Sequence, residues 1–272
     1  MFDPAKKLHQ AQNSQNFLKN PALAKFLVQK ADIKATDQIL EIGPGRGILT
    51  DYLLQTGAKV LAVEKDPILV ADLIHKFADK PNLTVVEADF LKYKVPFQNY
   101  KVFANPPFAI SSQLVKKIVF DANYPTDIYL FLQKEFASRL IAKQFNTQLS
   151  VLIKAWYELF VIHQFKPTDF SPVPKVDVVL VRFKRYFKPK IATTQKVEFV
   201  CFVGYAFAQQ KGYLEKNLSK IFTHEQWKKL AREIGFESKV QPGELDHMHW
   251  MALFLAFMSP LVSEEKKKII LG

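Results

Sequence analysis

The ten residues Gln38-Ile39-Leu40-Glu41-Ile42-Gly43-Pro44-Gly45-Arg46-Gly47 decide the fold of this chain. Gln38 to Ile42 reads as a short buried strand, and the three alternating glycines read as a tight turn into a helix. Glycines at such a turn let a ligand approach the backbone closely. The spacing is not the dinucleotide fingerprint, which needs a third glycine three residues after the second, where this chain has Ile48. The Gly-Lys-Ser/Thr of a nucleoside-triphosphate loop is missing as well. The loop therefore suits a ligand without phosphates.

Working outward, short apolar runs alternate with helix-like segments from about Gln38 to Gln133. The predicted strands are Gln38–Ile42, Lys59–Val63, Leu83–Glu87, Lys101–Ala104 and Ile128–Leu132, and the predicted helices are 47–55, 67–77, 111–120 and 134–143. That alternation is the pattern of a parallel sheet wrapped by helices, an α/β fold. Two more apolar runs, 155–164 and 176–183, flank Pro167, Pro172 and Pro174 and read as antiparallel strands at the sheet edge. Past Tyr186 the pattern turns helical, with segments at 196–208, 214–221, 224–234 and 246–258. Thr223 with Gln226 forms a capping box and Gly235 a stop for the third of these. The expected division is a catalytic domain over 1–188 and a small helical domain over 189–272, with 264–268 a solvated tail.

Composition narrows the partners. The 38 Lys and Arg against 26 Asp and Glu give +12, which favours a polyanion, with nucleic acid first. Six lysines lie between Met1 and Lys34, and Arg182, Lys184, Arg185, Lys188 and Lys190 form a second cluster. A single cysteine, Cys201 in an apolar run, excludes a disulfide framework and reads as a small core residue. No apolar stretch reaches membrane-span length and the N-terminus lacks a secretory h-region, so a cytoplasmic location without a membrane partner is expected.

Further chemistry gathers where the predicted strands end. Glu64 closes the second strand, where a carboxylate takes both hydroxyls of a ribose. Asp89 follows the third strand, placed to accept from an adenine amino group, with Ala88 and Phe90 flanking the ring. Asn105-Pro106-Pro107-Phe108 ends the fourth. The Asn105 oxygen accepts from an amine, the prolines fix φ and remove backbone donors, and Phe108 offers a stacking face. The set suits the N6 amine of adenine as substrate and S-adenosylmethionine as the phosphate-free cofactor. No metal is expected, because His247-Met248-His249 has no third ligand nearby.

Ser14-Gln15-Asn16-Phe17-Leu18, Glu41 to Gly47, Glu64, Ala88-Asp89, Asn105 to Phe108 and Pro174-Lys175-Val176-Asp177 resemble, in order, the rRNA adenine N6-methyltransferases. The resemblance implies a Rossmann-like S-adenosylmethionine-dependent methyltransferase sheet with helices on both faces, plus a small all-α C-terminal domain. It also implies that Asn16 and Leu18 touch the methionine end of the cofactor, Gly43 and Gly45 the loop side, Glu64 the ribose and Asp89 the adenine. Asn105 lies beside both cofactor and target amine, with Pro106 and Phe108 completing the catalytic set. The stretches Lys116–Phe120, Asp127–Leu130 and Phe136–Leu140 look like the erythromycin-resistance (Erm) branch, which acts on 23S rRNA. The housekeeping 16S branch usually carries Tyr-Gly-Arg-Leu-Ser where this chain has Phe145 to Ser150, and an Arg-Arg-Lys run near Ala208 to Lys211. Pro106 departs from the Asn-Ile-Pro of both branches. The expected protein is a monomer that binds ribosomal RNA; the rival readings are the 16S dimethyltransferase, a non-catalytic nucleic-acid-binding relative and a DNA adenine methylase.

Overall fold

A computed structural model describes residues 16–121, 123–142, 145–209 and 212–272. Ser14, Gln15, Gln210 and Lys211 of the motifs above lie outside the described residues, as do the first two lysines of the N-terminal cluster. Nine strands are described: β1 Phe17–Leu18, β2 Gln38–Ile42, β3 Lys59–Glu64, β4 Leu83–Glu87, β5 Lys101–Ala104, β6 Asp127–Gln133, β7 Tyr157–Gln164, β8 Phe170–Ser171 and β9 Val178–Arg185. Seven form one sheet in the order β4-β3-β2-β5-β6-β9-β7, and β1 pairs with β8 in a separate ribbon. Strands β2 to β6 pair in parallel, and β9 runs antiparallel to β6 from Asp127↔Lys184 to Gln133↔Val178.

The order reverses beside β2. The chain steps outward from β2 to β3 and β4, then returns to place β5 on the other side of β2. Right-handed crossovers in opposite directions put helices on both faces, and they leave a crevice at the carboxyl ends of β2 and β5. Helices Ile48–Gln55, Pro67–Lys76 and Ser111–Phe120 follow β2, β3 and β5. One core cluster joins Ile39, Val60, Phe103, Tyr129 and Leu180 of the sheet to Leu27, Leu53 and Leu73 of the helices. Phe103 and Tyr129 stack with centroids 5.0 Å apart, and the Tyr129 hydroxyl donates to the Ala31 carbonyl.

The chain divides into two compact units. The first runs to Ala137 and resumes at Phe160–Lys184; the second takes Ser138–Leu159 and Arg185–Gly272. A single cut at 188 thus misses the helix Gln148–Lys154, which is buried all round past its first turn and brings Val151, Leu152 and Ile153 to the second unit. That unit is held by aromatic contacts: Trp156 meets Phe199 edge-on at 5.7 Å, and Phe199 meets Phe254 at 5.1 Å. Helix His224–Ile234 has the expected capping box at Thr223 and Gln226 and a left-handed Gly235 at its end.

Two expectations are corrected here. Residues 264–268 are no solvated tail but the start of helix Glu264–Leu271. Lys267 is buried and donates to the Met258 carbonyl and to Glu264, while Lys266 donates to the Ile221 carbonyl. The lysines satisfy backbone carbonyls that a charge run alone does not reveal. Cys201 is half-buried rather than a core residue, on a helix whose buried positions are Phe199, Phe202, Val203 and Ala206.

Lys154 is a buried cation, only 8% exposed, that organises the second unit. Its Nζ donates to the Ala142 carbonyl and to Asn146 Oδ1. Asn146 in turn donates from Nδ2 to the Leu245 carbonyl and from its backbone to Gly243. Burial pushes the Lys154 amine down to about 8. Lys154→Ala is expected to cost about 2–3 kcal/mol, because it leaves buried acceptors without their donor. Denaturant unfolding followed by tryptophan fluorescence measures this.

Candidate active site

The parallel register sets the site. Ile42 pairs with Ala104, so the next residues along each strand, Gly43 and Asn105, leave the sheet side by side at the switch point. Val63 pairs with Ile42 on the other side, and the Gly43 N–H donates to the Val63 carbonyl. Glu64 pairs with Glu87, which brings the turn carrying Asp89 alongside. A cleft opens here, lined by Asn16, Leu18, Gly43, Arg46, Asn105 and Pro107 among others.

Asn105 has a fixed orientation. Its Nδ2 donates to the Asn16 backbone carbonyl at 2.8 Å. A carbonyl can only accept, so the amide nitrogen must face Asn16 and Oδ1 remains as the acceptor. Asn16 itself is carried by the segment that continues into β1, which β8 holds through Phe17↔Ser171 and Leu18↔Phe170. The Lys19 N–H adds a bond to the Asp169 carbonyl. The resemblance implies that this segment lies against the cofactor, but its pairing with β8 could not be read from sequence, since two-residue strands leave no periodicity to detect.

Glu64 is buried and braces the glycine loop. Its Oε2 accepts from the Gly45 N–H at 3.2 Å, and its Oε1 accepts from the N–H groups of Lys65 and Asp66 at 2.8 and 3.0 Å. Asp89 accepts from the Leu91 N–H at Oδ1 and pairs with Lys65 Nζ through Oδ2 at 3.0 Å. That ammonium holds the Asp89 carboxyl below its ordinary range. Glu41, one strand residue from the loop, is 1% exposed with both carboxyl oxygens unpaired among the described residues. Burial pushes it up to about 8, with nearby Thr50 opposing and Glu64 adding to the shift.

Of the sequence-selected residues, Asn16, Leu18, Gly43 and Asn105 meet in the cleft wall. Gly45 and Glu64 join them through one hydrogen bond behind the loop. Pro106 is buried, and the neighbouring Pro107 lines the cleft. Phe108 opens a short 3-10 turn, half-buried against the core cluster. Arg46 lies over the Phe17 ring at 5.4 Å, a cleft contact that sequence reading passed over although Arg46 stands within the glycine motif. In the basic cluster at 182–190, Arg182 is committed to Asp127 at 2.6 Å and Lys190 to His247 at 2.8 Å. Among the described residues no three metal-binding side chains converge.

The residues fit S-adenosylmethionine on a structural test. Gly43 has φ +65°, and a Cβ built there meets nothing within 4 Å, so open space lies where a ligand would press on the loop. A Cβ on Gly45, at φ +58°, would stand 2.7 Å from the Phe17 ring. Gly43→Ala and Gly45→Ala should each lose about 1–2 kcal/mol to left-handed strain. Gly43→Ala should in addition lose cofactor affinity beyond its stability cost, and equilibrium dialysis with labelled cofactor alongside thermal melts separates the two effects.

A family model described as ribosomal RNA adenine dimethylase matches residues 7–256. The chain belongs to that family. It is an S-adenosylmethionine-dependent rRNA adenine N6-methyltransferase. An rRNA adenine N-6-methyltransferase of Bacillus anthracis is 28% identical over 257 residues, covering 92% of this chain and 88% of that protein. A ribosomal RNA small subunit methyltransferase A of Mycoplasma mobile is 32% identical, covering 88% of this chain and 94% of its own length. The crystal structure of the 23S rRNA methyltransferase ErmE shares the fold with a TM-score of 0.78 at 24% identity, covering 90% of this chain and 100% of that one. Among the described residues no helix is long and apolar enough to cross a membrane.

Proposed function

We propose that this enzyme methylates N6 of one adenine in 23S rRNA, the reaction of the Erm branch that confers macrolide tolerance. The anchored Asn105 amide carries the chemical part of this reading, because its orientation presents an oxygen acceptor at the switch point. Asn16, Leu18 and Gly43 would hold the methionine end of the cofactor, Glu64 its ribose and Asp89 its adenine. The cofactor supplies an electrophilic methyl group. The target adenine leaves its stack to enter the cleft. Asn105 Oδ1 and the Pro106 carbonyl accept the two N6 hydrogens, which localises the nitrogen lone pair. Pro107 and the exposed part of Phe108 wall the ring. Positioning in a site shielded from water supplies most of the acceleration, and the displaced proton leaves to solvent.

The branch rests on sequence: Lys116–Phe120, Asp127–Leu130 and Phe136–Leu140 support Erm, as does Phe145 to Ser150 in place of the housekeeping spelling. The Mycoplasma mobile relative, named for the small subunit, favours the second reading of 16S dimethylation. The first unit, which carries the cleft, would bind the cofactor, and the second, Ser138–Leu159 with Arg185–Gly272, would bind RNA, with the protein acting as a monomer in the cytoplasm. Mass mapping of methylated adenines in rRNA from cells with and without the chain tests the branch. Large-subunit modification with macrolide tolerance is expected; modification confined to the small subunit overturns it. RNA affinity should fall steeply with added salt as released counterions lose their advantage, and filter binding across a salt series measures the slope.

A further inference from the structure

Lys65 stands where the cofactor's adenine is proposed to bind, and the reaction described above assigns it no role. It follows Glu64 at the carboxyl end of β3, and its backbone N–H is one of the donors that hold Glu64 Oε1. Its side chain crosses to the neighbouring turn and pairs with Asp89 Oδ2 at 3.0 Å. Asp89 Oδ1 is already tied to the Leu91 N–H, a bond within its own turn. An adenine amine arriving at Asp89 therefore meets one oxygen fixed by backbone and one held by a movable ammonium. Lys65 is 75% exposed and Asp89 30%, so the pair is open to solvent and to salt.

We infer that Lys65 is a specificity-tuning latch on the cofactor site, competing with the adenine amine for Asp89 and yielding when the cofactor binds. This rests on the reading of Asp89 as the adenine acceptor. The Lys65–Asp89 pair stabilises the ligand-free site, so cofactor binding has to offset its loss. Lys92 adds a positive field at Asp89, but the hydrogen bond comes from Lys65. Salt weakens an exposed pair of this kind. Salt should therefore aid binding at the adenine end while it weakens RNA binding, two opposite responses in one enzyme.

Isothermal titration of the full chain with S-adenosylhomocysteine, which lacks the sulfonium charge, tests this at low and high salt. S-inosylhomocysteine, whose ring carries an oxygen in place of the amine, serves as the comparison ligand. Lys65→Ala should bind S-adenosylhomocysteine about two- to fivefold tighter at low salt, the span expected for an exposed ion pair. The gain should shrink at high salt, and the preference over the inosyl compound should widen. Asp89→Ala should bind more weakly and lose that preference. If Asp89→Ala binds normally, the assignment of Asp89 to adenine fails. If Asp89→Ala weakens binding while Lys65→Ala leaves it unchanged or weaker, Asp89 keeps its role and the latch is overturned.

Discussion

Replacing Asn105 with alanine is expected to reduce methyl transfer by about 10²–10³-fold or more, the scale seen when one positioned hydrogen-bonding group is removed from a reacting centre. Binding of S-adenosylhomocysteine should largely survive, since Asn16, Leu18 and Gly43 still shape the cleft. Asn105→Asp sharpens the test. It keeps an acceptor toward the cleft but sets a second carboxylate oxygen where Nδ2 now donates, 2.8 Å from the Asn16 carbonyl. Two acceptors at that distance repel, so the aspartate must rotate, become protonated or push the Asn16 segment away. Activity of Asn105→Asp should therefore stay close to that of Asn105→Ala. Single-turnover transfer of labelled methyl to rRNA, with binding measured in parallel, checks both variants. Near-normal transfer by Asn105→Ala would remove the amide from the mechanism.

The largest stability effect is expected at Glu41. Its carboxyl rises from 4.5 unfolded to about 8 in the folded chain because burial penalises the charged form. A folded pKa above the unfolded one means that the native state holds the extra proton between those values. Stability is then greatest below about 4.5 and is lost progressively as pH rises through about 8. At about 1.36 kcal/mol per unit, the loss is on the order of 5 kcal/mol across that window. Glu41→Gln removes the titration. Its stability relative to the parent should match near pH 4.5 and rise steadily toward pH 8, where the variant melts at higher temperature. Parallel pH profiles for the two proteins would show that Glu41 finds a partner when ionised.

Sequence alone determined the sheet and where along it the candidate site residues stand. Strands such as Gln38–Ile42 and Lys101–Ala104 were legible to the residue, because a buried parallel strand is an apolar run bounded by turn residues. Gly43, Glu64, Asp89 and Asn105 were legible for a related reason: each stands just past or at the end of such a run, and α/β sheets bind ligands there. The misreadings have a physical pattern too. Helix Glu264–Leu271 was hidden by a charge run whose lysines reach distant carbonyls at Met258 and Ile221. The unit boundary was hidden because Ser138–Leu159 belongs with residues after Arg185, a grouping made by long-range packing.

What only the tertiary structure decided is how the site residues are held. Asn16 precedes Asn105 by 89 positions, yet its carbonyl sets which way the Asn105 amide faces. The β1–β8 ribbon joins Phe17 to Ser171, and Lys65 reaches Asp89 across two strand ends. Sequence names the groups that can accept a hydrogen bond, because that capacity belongs to each side chain. Whether the bond is already made, and by what, depends on which distant backbone the fold brings within 3 Å.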